Sequence, residues 1–291
     1  MTTALIDGDI LLYECGFAGE YKDEETGEKA PKNFEDVKEI LDQRILEICE
    51  AVEATERPLI FLTGDERLLK SVNKERSRRG EEALPWKPNF RFEVAKSRPY
   101  KERTSTKPYH YHNLRAYLRS RYKVRIAWGM EADDLLSIHQ VLSGCGQDTV
   151  ICSRDKDLRI VPGLHYGWEC GLQAEFGPEL VDELGYLNEP TKSGLKGVGL
   201  KFFYAQMIMG DGTDTIPGLP GGGKALAYKS LKDCGSEEEL YETTAELYRK
   251  KIGDSWADYF QEQASLLWMV QQLDEEGNPI LYVPPVHRQV P

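Results

Sequence analysis

The sequence predicts an α/β fold, a mainly parallel sheet flanked by helices, followed by an α-helical lobe. Three observations carry this. Short apolar runs alternate with helical periodicity through about residue 160, which is how a parallel sheet with crossover helices reads. Each run ends at or just before acidic residues. Beyond residue 173 the strand-like runs fade and helical spacing takes over.

Taken in order, Ala4–Ile6 reads as a short apolar strand ending at Asp7. Residues 34–55 carry Val37, Ile40, Leu41, Ile45, Leu46 and Ile48 at helical spacing. Residues 58–63 form a buried-type strand that runs into Gly64-Asp65. The stretch 66–112 is rich in Pro, Arg and Tyr and weakly periodic. A segment that long in a small domain is either functional or partly helical. A helix at 113–122, a strand at Lys123–Trp128, a helix at Glu131–Val141 and a strand at 148–153 follow. Helices are then expected at 199–209, 223–232, 237–251 and 255–272, with Ser236 and Glu239 forming a capping box for the third. The organisation expected is an α/β core over 1–172 and a helical lobe over 173–291, together one catalytic unit.

Hydrophobic residues make up 40% of the 291 and charged residues 30%, a composition that can bury a core. No apolar run reaches the ~20 residues that span a bilayer. The opening MTTALIDGDILLYECG has no basic leader, and the six cysteines are scattered without a CxxC pair. These features predict a cytoplasmic protein with reduced thiols and no membrane partner, and a monomer is expected. The net charge of −12 argues against a polyanionic ligand, but its distribution reverses the inference. Residues 91–125 hold eleven Lys/Arg against Glu93 and Glu102, a local +9, which leaves −21 on the rest. Phe90, Phe92, Tyr100, Tyr109, Tyr111 and Tyr117 are interleaved with those bases. Bases with aromatics suit phosphates and unpaired nucleobases.

The acids fall at strand ends. Asp7 ends the first strand and Asp65 the second; Glu131, Asp133 and Asp134 open the helix after the third; Asp155 and Asp157 follow the fourth. Carboxyl ends of parallel strands line one crevice, the usual ligand site of such sheets. Seven carboxylates there would repel each other without cations. An all-oxygen set without His or Cys favours Mg²⁺ or Mn²⁺ over zinc. Asp9 reads as a supporting group behind Asp7. Residues 210–223 hold six glycines in fourteen positions. With the helices on either side, they resemble an extended helix–hairpin–helix over about 199–232, whose backbone N–H groups meet phosphates without reading bases.

The ordered set Ile6-Asp7-Gly8-Asp9, Leu62–Asp65, Pro99-Tyr100-Lys101-Glu102-Arg103, Glu131–Asp134, Ser153–Leu158 and Gly210–Gly218 resembles the structure-specific 5′-nucleases. These are the flap endonucleases, the bacteriophage 5′–3′ exonucleases and the 5′-nuclease domain of DNA polymerase I. The resemblance runs from Asp7 to about residue 232 and looks most like a stand-alone phage enzyme of replication or recombination. It implies a PIN-like core, with the basic stretch 66–112 as a helical arch that admits a single strand. It implies two Mg²⁺ ions, replaceable by Mn²⁺, held by Asp7, Asp65, Glu131, Asp133, Asp134, Asp155, Asp157, Asp211 and Asp214. Asp133, Lys101 and Arg103 would be catalytic. Arg79, Arg91, Gly218, Gly221, Gly223 and Lys224 would contact DNA, joined by Tyr100 and Arg115 on the strength of the local charge and aromatics of the basic stretch, and K⁺ would sit at the glycine-rich turn. Either Arg79 or Arg91 matches the family's arginine after the second aspartate. The implied activity is hydrolysis of DNA from a free 5′ end or flap, with an RNA–DNA hybrid as a second substrate. Two enzyme alternatives stay open. One is a haloacid-dehalogenase-like phosphatase using Asp7 and Asp9; the other is a PIN-type ribonuclease. A catalytically silent DNA-binding module is a third.

Overall fold

The computed structural model describes residues 1–25, 27–101, 106–146 and 148–288. In chain order the elements are β1 (Thr3–Asp7), α1 (Gly8–Ala18), β2 (Glu20–Lys22), β3 (Lys29–Pro31), α2 (Phe34–Ala51), β4 (Leu59–Thr63), α3 (Glu66–Arg78) and α4 (Arg91–Val94). Then come α5 (Tyr111–Arg121), β5 (Lys123–Ala127), α6 (Ala132–Leu142), β6 (Thr149–Cys152), β7 (Gly163–Gly167), β8 (Phe176–Val181), β9 (Tyr186–Leu187) and β10 (Gly197–Val198). Four further α-helices follow: α7 (Gly199–Met209), α8 (Lys224–Leu231), α9 (Glu237–Ile252) and α10 (Trp256–Leu267).

The chain divides into two units. The first comprises Met1–Lys87, Ser105–Arg154 and Gly163–Leu180. Its sheet has the order β5-β4-β1-β6-β7-β8, and the pairs β1–β4, β1–β6, β4–β5 and β6–β7 are all parallel. Side chains alternate across it, as the two-residue period of a strand requires. Ala4, Ile6, Ile60, Leu62, Val150 and Cys152 point to one face, where they pack with Leu11, Leu12, Val37, Leu41, Ile45 and Leu114 of α1, α2 and α5. Phe61 points to the other face and meets His139 of α6 edge-on at 5.0 Å between ring centres. Gly8 is required where α1 crosses β4, because a Cβ there would lie 2.6 Å from the Phe61 carbonyl oxygen.

Three features differ from the sequence reading. Helix α1 begins at Gly8, directly after the first strand, where no helix was expected; its glycines and unbroken apolar run hide the helical period. Strands β7 and β8 extend the sheet past residue 160. The last helix stops at Leu267 rather than 272, because Trp268 is extended.

The second unit comprises Pro88–Thr104, Asp155–Pro162 and Val181–Pro291. Here α7 packs on α8, α9 and α10. Ser236 caps α9 by accepting the Glu239 N–H at 3.3 Å, while the Glu239 carboxylate accepts the Gly235 N–H at 2.7 Å. Arg91 is 1% exposed. Its Nε and Nη2 donate to the carbonyls of Leu266 and Trp268 at 3.0 and 2.8 Å. These are carbonyls that the end of α10 leaves without helical partners. A buried guanidinium there satisfies them and complements the helix dipole. Arg91→Ala is therefore expected to cost about 3 kcal/mol, the scale of charged hydrogen bonds lost from the interior. Urea denaturation checks this, and a loss below about 1 kcal/mol would contradict the assignment. Among the described residues, no helix is long and apolar enough to cross a membrane.

Candidate functional site

The order β5-β4-β1-β6 makes neighbours of the four strands whose ends carry the first acids. The chain steps outward from β1 to β4 and β5, then returns to the other side of β1 as β6. The crevice outside a sheet opens at such a reversal of strand order. Asp7 and Ser153 stand there and are bonded: the Ser153 hydroxyl donates to Asp7 Oδ2 at 2.8 Å. Asp7 is 2% exposed and also caps α1, its Oδ1 accepting the Ile10 N–H at 3.2 Å.

Asp9 sits in the first turn of α1. Its Oδ2 accepts the Thr63 N–H at 3.0 Å from the end of β4. Its Oδ1 is buried and has no hydrogen-bond partner. Burial, reinforced by the Asp9 charge, pushes Asp7 up to about 7 despite the Ser153 and Ile10 hydrogen bonds. Burial likewise raises Asp9, and the nearby Glu131 charge adds to it. Glu131 caps α6, and Asp134, fully buried, reaches back to accept the Glu131 N–H at 3.1 Å. Asp133 is half-buried in the same first turn, and the Thr63 hydroxyl accepts the Ala132 N–H at 2.9 Å. One sheet edge thus holds several acids with too little positive charge around Asp7 and Asp9.

Asp65 is different. Both its oxygens receive Arg115, at 2.8 and 2.9 Å, and Oδ1 also accepts the Leu68 N–H at 2.7 Å as the cap of α3. Burial works against its charge, but the Arg115 hydrogen bonds hold its carboxyl below the ordinary range. Arg115 is 4% exposed. The structure therefore gives Arg115 to Asp65, not to an open DNA-facing surface.

In the second unit, Asp155 Oδ1 accepts the Asp157 N–H at 2.8 Å. Lys156 Nζ donates to Asp157 Oδ1 at 2.9 Å and to Asp211 Oδ2. Asp211 Oδ1 accepts the Thr213 N–H at 2.7 Å inside a tight loop closed by reciprocal Asp211–Ile216 backbone bonds of 2.8 Å. Asp214 is brought to the Pro99-Tyr100-Lys101 segment. Its carbonyl accepts the Lys101 N–H at 3.1 Å, its Oδ2 accepts the Tyr100 hydroxyl at 3.0 Å, and Lys101 Nζ lies 3.7 Å from its Oδ1. Lys101 has φ +48°, a left-handed backbone that a lysine rarely takes.

The remaining expected contacts are scattered. Arg103 lies outside the described residues. Arg79 is exposed and paired with Glu81 at 2.9 Å, Arg91 is turned inward, and Tyr100 is buried on Asp214. Gly218 needs its bare backbone: a Cβ would meet Gly210 N at 2.3 Å, and its own N–H donates to Gln263 Oε1 at 3.0 Å. Gly221 has a left-handed backbone, whereas Gly223, the cap of α8, is extended. Lys224 donates to the Thr191 and Lys192 carbonyls at 2.5 and 3.1 Å. Sequence reasoning undervalued Asp9 and missed Ser153, Lys156 and Gln206; the run Asp7-Gly8-Asp9 was the available signal for the first.

Among the described residues, no group of three or more His, Cys, Asp or Glu side chains is placed to hold a metal ion. The all-oxygen donors of the first unit, with Asp9 Oδ1 unpartnered, nevertheless fit a hard divalent cation. Such an ion would compete with the proton on Asp7. Without it, Asp7 has a folded value near 7 against an ordinary 3.8, so its contribution to stability is present in acid and lost as pH rises through 7. The melting temperature in EDTA is expected to fall from pH 6 to pH 8 more steeply in the wild type than in Asp7→Asn. The difference between the two curves isolates Asp7 from His112 and His139, whose burial-lowered imidazoles act with the opposite sign. Parallel curves would refute the assignment.

The chain is similar in sequence to two bacterial DNA polymerases I. Identity is 30% over 152 residues with the Bacillus subtilis enzyme and 28% over 127 residues with that of Rhizobium leguminosarum. The aligned parts cover 52% and 42% of this chain, but only 16% and 11% of those polymerases. No protein-family model matches the chain. Among solved structures, the bacteriophage T5 D15 flap endonuclease in complex with DNA and metal ions superposes with a TM-score of 0.52 at 14% identity, over 90% of this chain and 88% of that one. The T5 5′-exonuclease with bound zinc gives 0.52 at 14%, over 91% and 89%. The fold is that of the T5 enzyme, and the resemblance to 5′-nucleases is present in both sequence and fold.

Proposed function

We propose that this chain is a divalent-metal-dependent nuclease that hydrolyses DNA phosphodiesters at or near a free 5′ end, with Mg²⁺ as the working ion and Mn²⁺ as a substitute. The observation that carries the reading is the Asp7–Asp9 pair. A buried carboxylate, Asp7, and a half-buried one, Asp9, whose buried Oδ1 has no partner, stand where the strand order reverses, in a fold of the T5 kind. Asp7, Asp9, Glu131, Asp133 and Asp134 would hold an ion in the first unit; Asp155, Asp157, Asp211 and Asp214 are the ligands available in the second. When bound, such ions would supply Lewis-acid chemistry, acidifying an attacking water near neutral pH and stabilising the leaving oxygen.

The chain's own residues do the rest. Ser153 and the Ile10 N–H orient Asp7, and the Thr63 N–H orients Asp9. Lys101, fixed by its backbone bond to Asp214, presents a cation to the scissile phosphate, whose charge grows in the transition state. Arg103 would add a second cation. Arg115 keeps Asp65 ionised and ordered as a support for the start of α3 rather than as a ligand. Gly218, Gly221, Gly223 and Lys224 form the turn that holds a duplex backbone, with K⁺ as its ion. The arch at 66–112 selects the free end, aided by Arg79.

The test is cleavage of a 5′-flap duplex, a blunt duplex and an RNA–DNA hybrid, each in Mg²⁺ and in EDTA, beside a chromogenic phosphate monoester. The flap or blunt DNA is expected to be cut in Mg²⁺ alone. Turnover of the monoester with intact DNA would shift the assignment to a phosphatase.

A further inference from the structure

Lys156 holds two of the proposed ligands at once. Its ammonium bonds Asp157 Oδ1 at 2.9 Å and Asp211 Oδ2. The two carboxylate side chains are 16% and 4% exposed, while that of Lys156 is 55% exposed. The lysine therefore reaches in from solvent to offset part of the charge of a pair that is itself less exposed than it is. Gln206, 2% exposed, stands beside them: its Nε2 donates to the same Asp157 oxygen at 2.5 Å, and its Oε1 is buried without a partner. The two carboxylate oxygens now held on one ammonium are the kind of donor a hard divalent ion takes, and the buried Gln206 amide lies against one of them. A monovalent ammonium on a flexible stem can leave the two oxygens without any movement of the backbone.

We propose that Lys156 is a built-in counter-ion, which halves the charge of the Asp157–Asp211 pair in the metal-free chain and is exchanged for a divalent cation when that pair is loaded. This rests on the metal-dependent reading above. An ammonium and a divalent ion repel at such distances, so the lysine must leave for the ion to bind. The exchange lowers the affinity of the pair for the ion. It also spares the metal-free chain two adjacent carboxylates with no counter-charge.

The experiment is titration of metal-free protein with Mn²⁺ alone, following free Mn²⁺ by its electron paramagnetic resonance signal. Thermal melts in EDTA and in Mn²⁺ accompany it. The variants are Lys156→Met and, should that fail to fold, Lys156→Gln. The wild type is expected to bind one tight ion and one at least tenfold weaker. Either variant is expected to bind the weaker ion at least tenfold more tightly, to melt lower in EDTA and to gain more from Mn²⁺. Binding curves that superimpose on the wild type would overturn the role of Lys156 while leaving the metal-dependent reading intact. A wild type and variants that all fail to bind Mn²⁺ would overturn both.

Discussion

Asp7→Asn is expected to slow 5′-flap cleavage by roughly 10³-fold or more, the several kcal/mol that a catalytic ion supplies, and yet to raise the melting temperature in EDTA. The two effects share one cause. Asp7 is buried beside Asp9, which pushes its carboxyl up to about 7. The metal-free fold therefore carries a charge it does not solvate, and an amide of the same shape removes it. Asparagine can still cap α1 through the Ile10 N–H and still meet Ser153. The stability gain should be a few degrees at pH 8 and shrink toward pH 6, where Asp7 is largely protonated. A variant that loses activity because it is less stable would show that Asp7 is merely structural.

Lys101→Ala is expected to lower single-turnover cleavage by ~10²–10³, the usual cost of one preorganised electrostatic donor, while binding of DNA in Ca²⁺ weakens only a few-fold. The segment is fixed from several directions: the Lys101 N–H and the Tyr100 hydroxyl both bond Asp214, and Glu262 accepts the Lys96 and Ser97 N–H groups at 2.8 and 2.7 Å. The loss should therefore fall on the rate and not on the grip. Lys224→Ala should behave oppositely. It frees the Thr191 and Lys192 carbonyls and loosens the loop next to α8, so binding weakens while the rate at saturation stays near normal. Wild-type rates for saturated Lys101→Ala would move the catalytic cation to Arg103 or Arg79.

The parallel sheet was legible because its strands are short apolar runs with helices between them. The acids at their ends were legible for the same reason. Asp9 was undervalued because strand spacing and turn spacing give its side chain different directions, and α1 starts at once at Gly8. The Cβ-free approach of Gly8 to Phe61 lets α1 start directly after Asp7 and so places Asp9 in its first turn. Arg115 was assigned to DNA from a count of local charge. Its spacing held the better signal: Tyr111, Leu114, Arg115 and Leu118 share the buried face of α5. Arg91 offered no such sign, since the carbonyls it satisfies lie some 175 residues away in sequence. Lys156 was not singled out, because no periodicity shows that a loop lysine will fold back on Asp211.

The most direct measurement follows a 5′-flap duplex labelled in turn at its 5′ and 3′ ends, with wild type and Asp7→Asn, in Mg²⁺ and after chelation. The account predicts that the wild type releases short labelled products from the 5′ end in Mg²⁺, leaves the 3′ label on long strands at early times, and stops in EDTA. Asp7→Asn should leave both labels intact. Undiminished cleavage in EDTA, or shortening from the 3′ end, would contradict it.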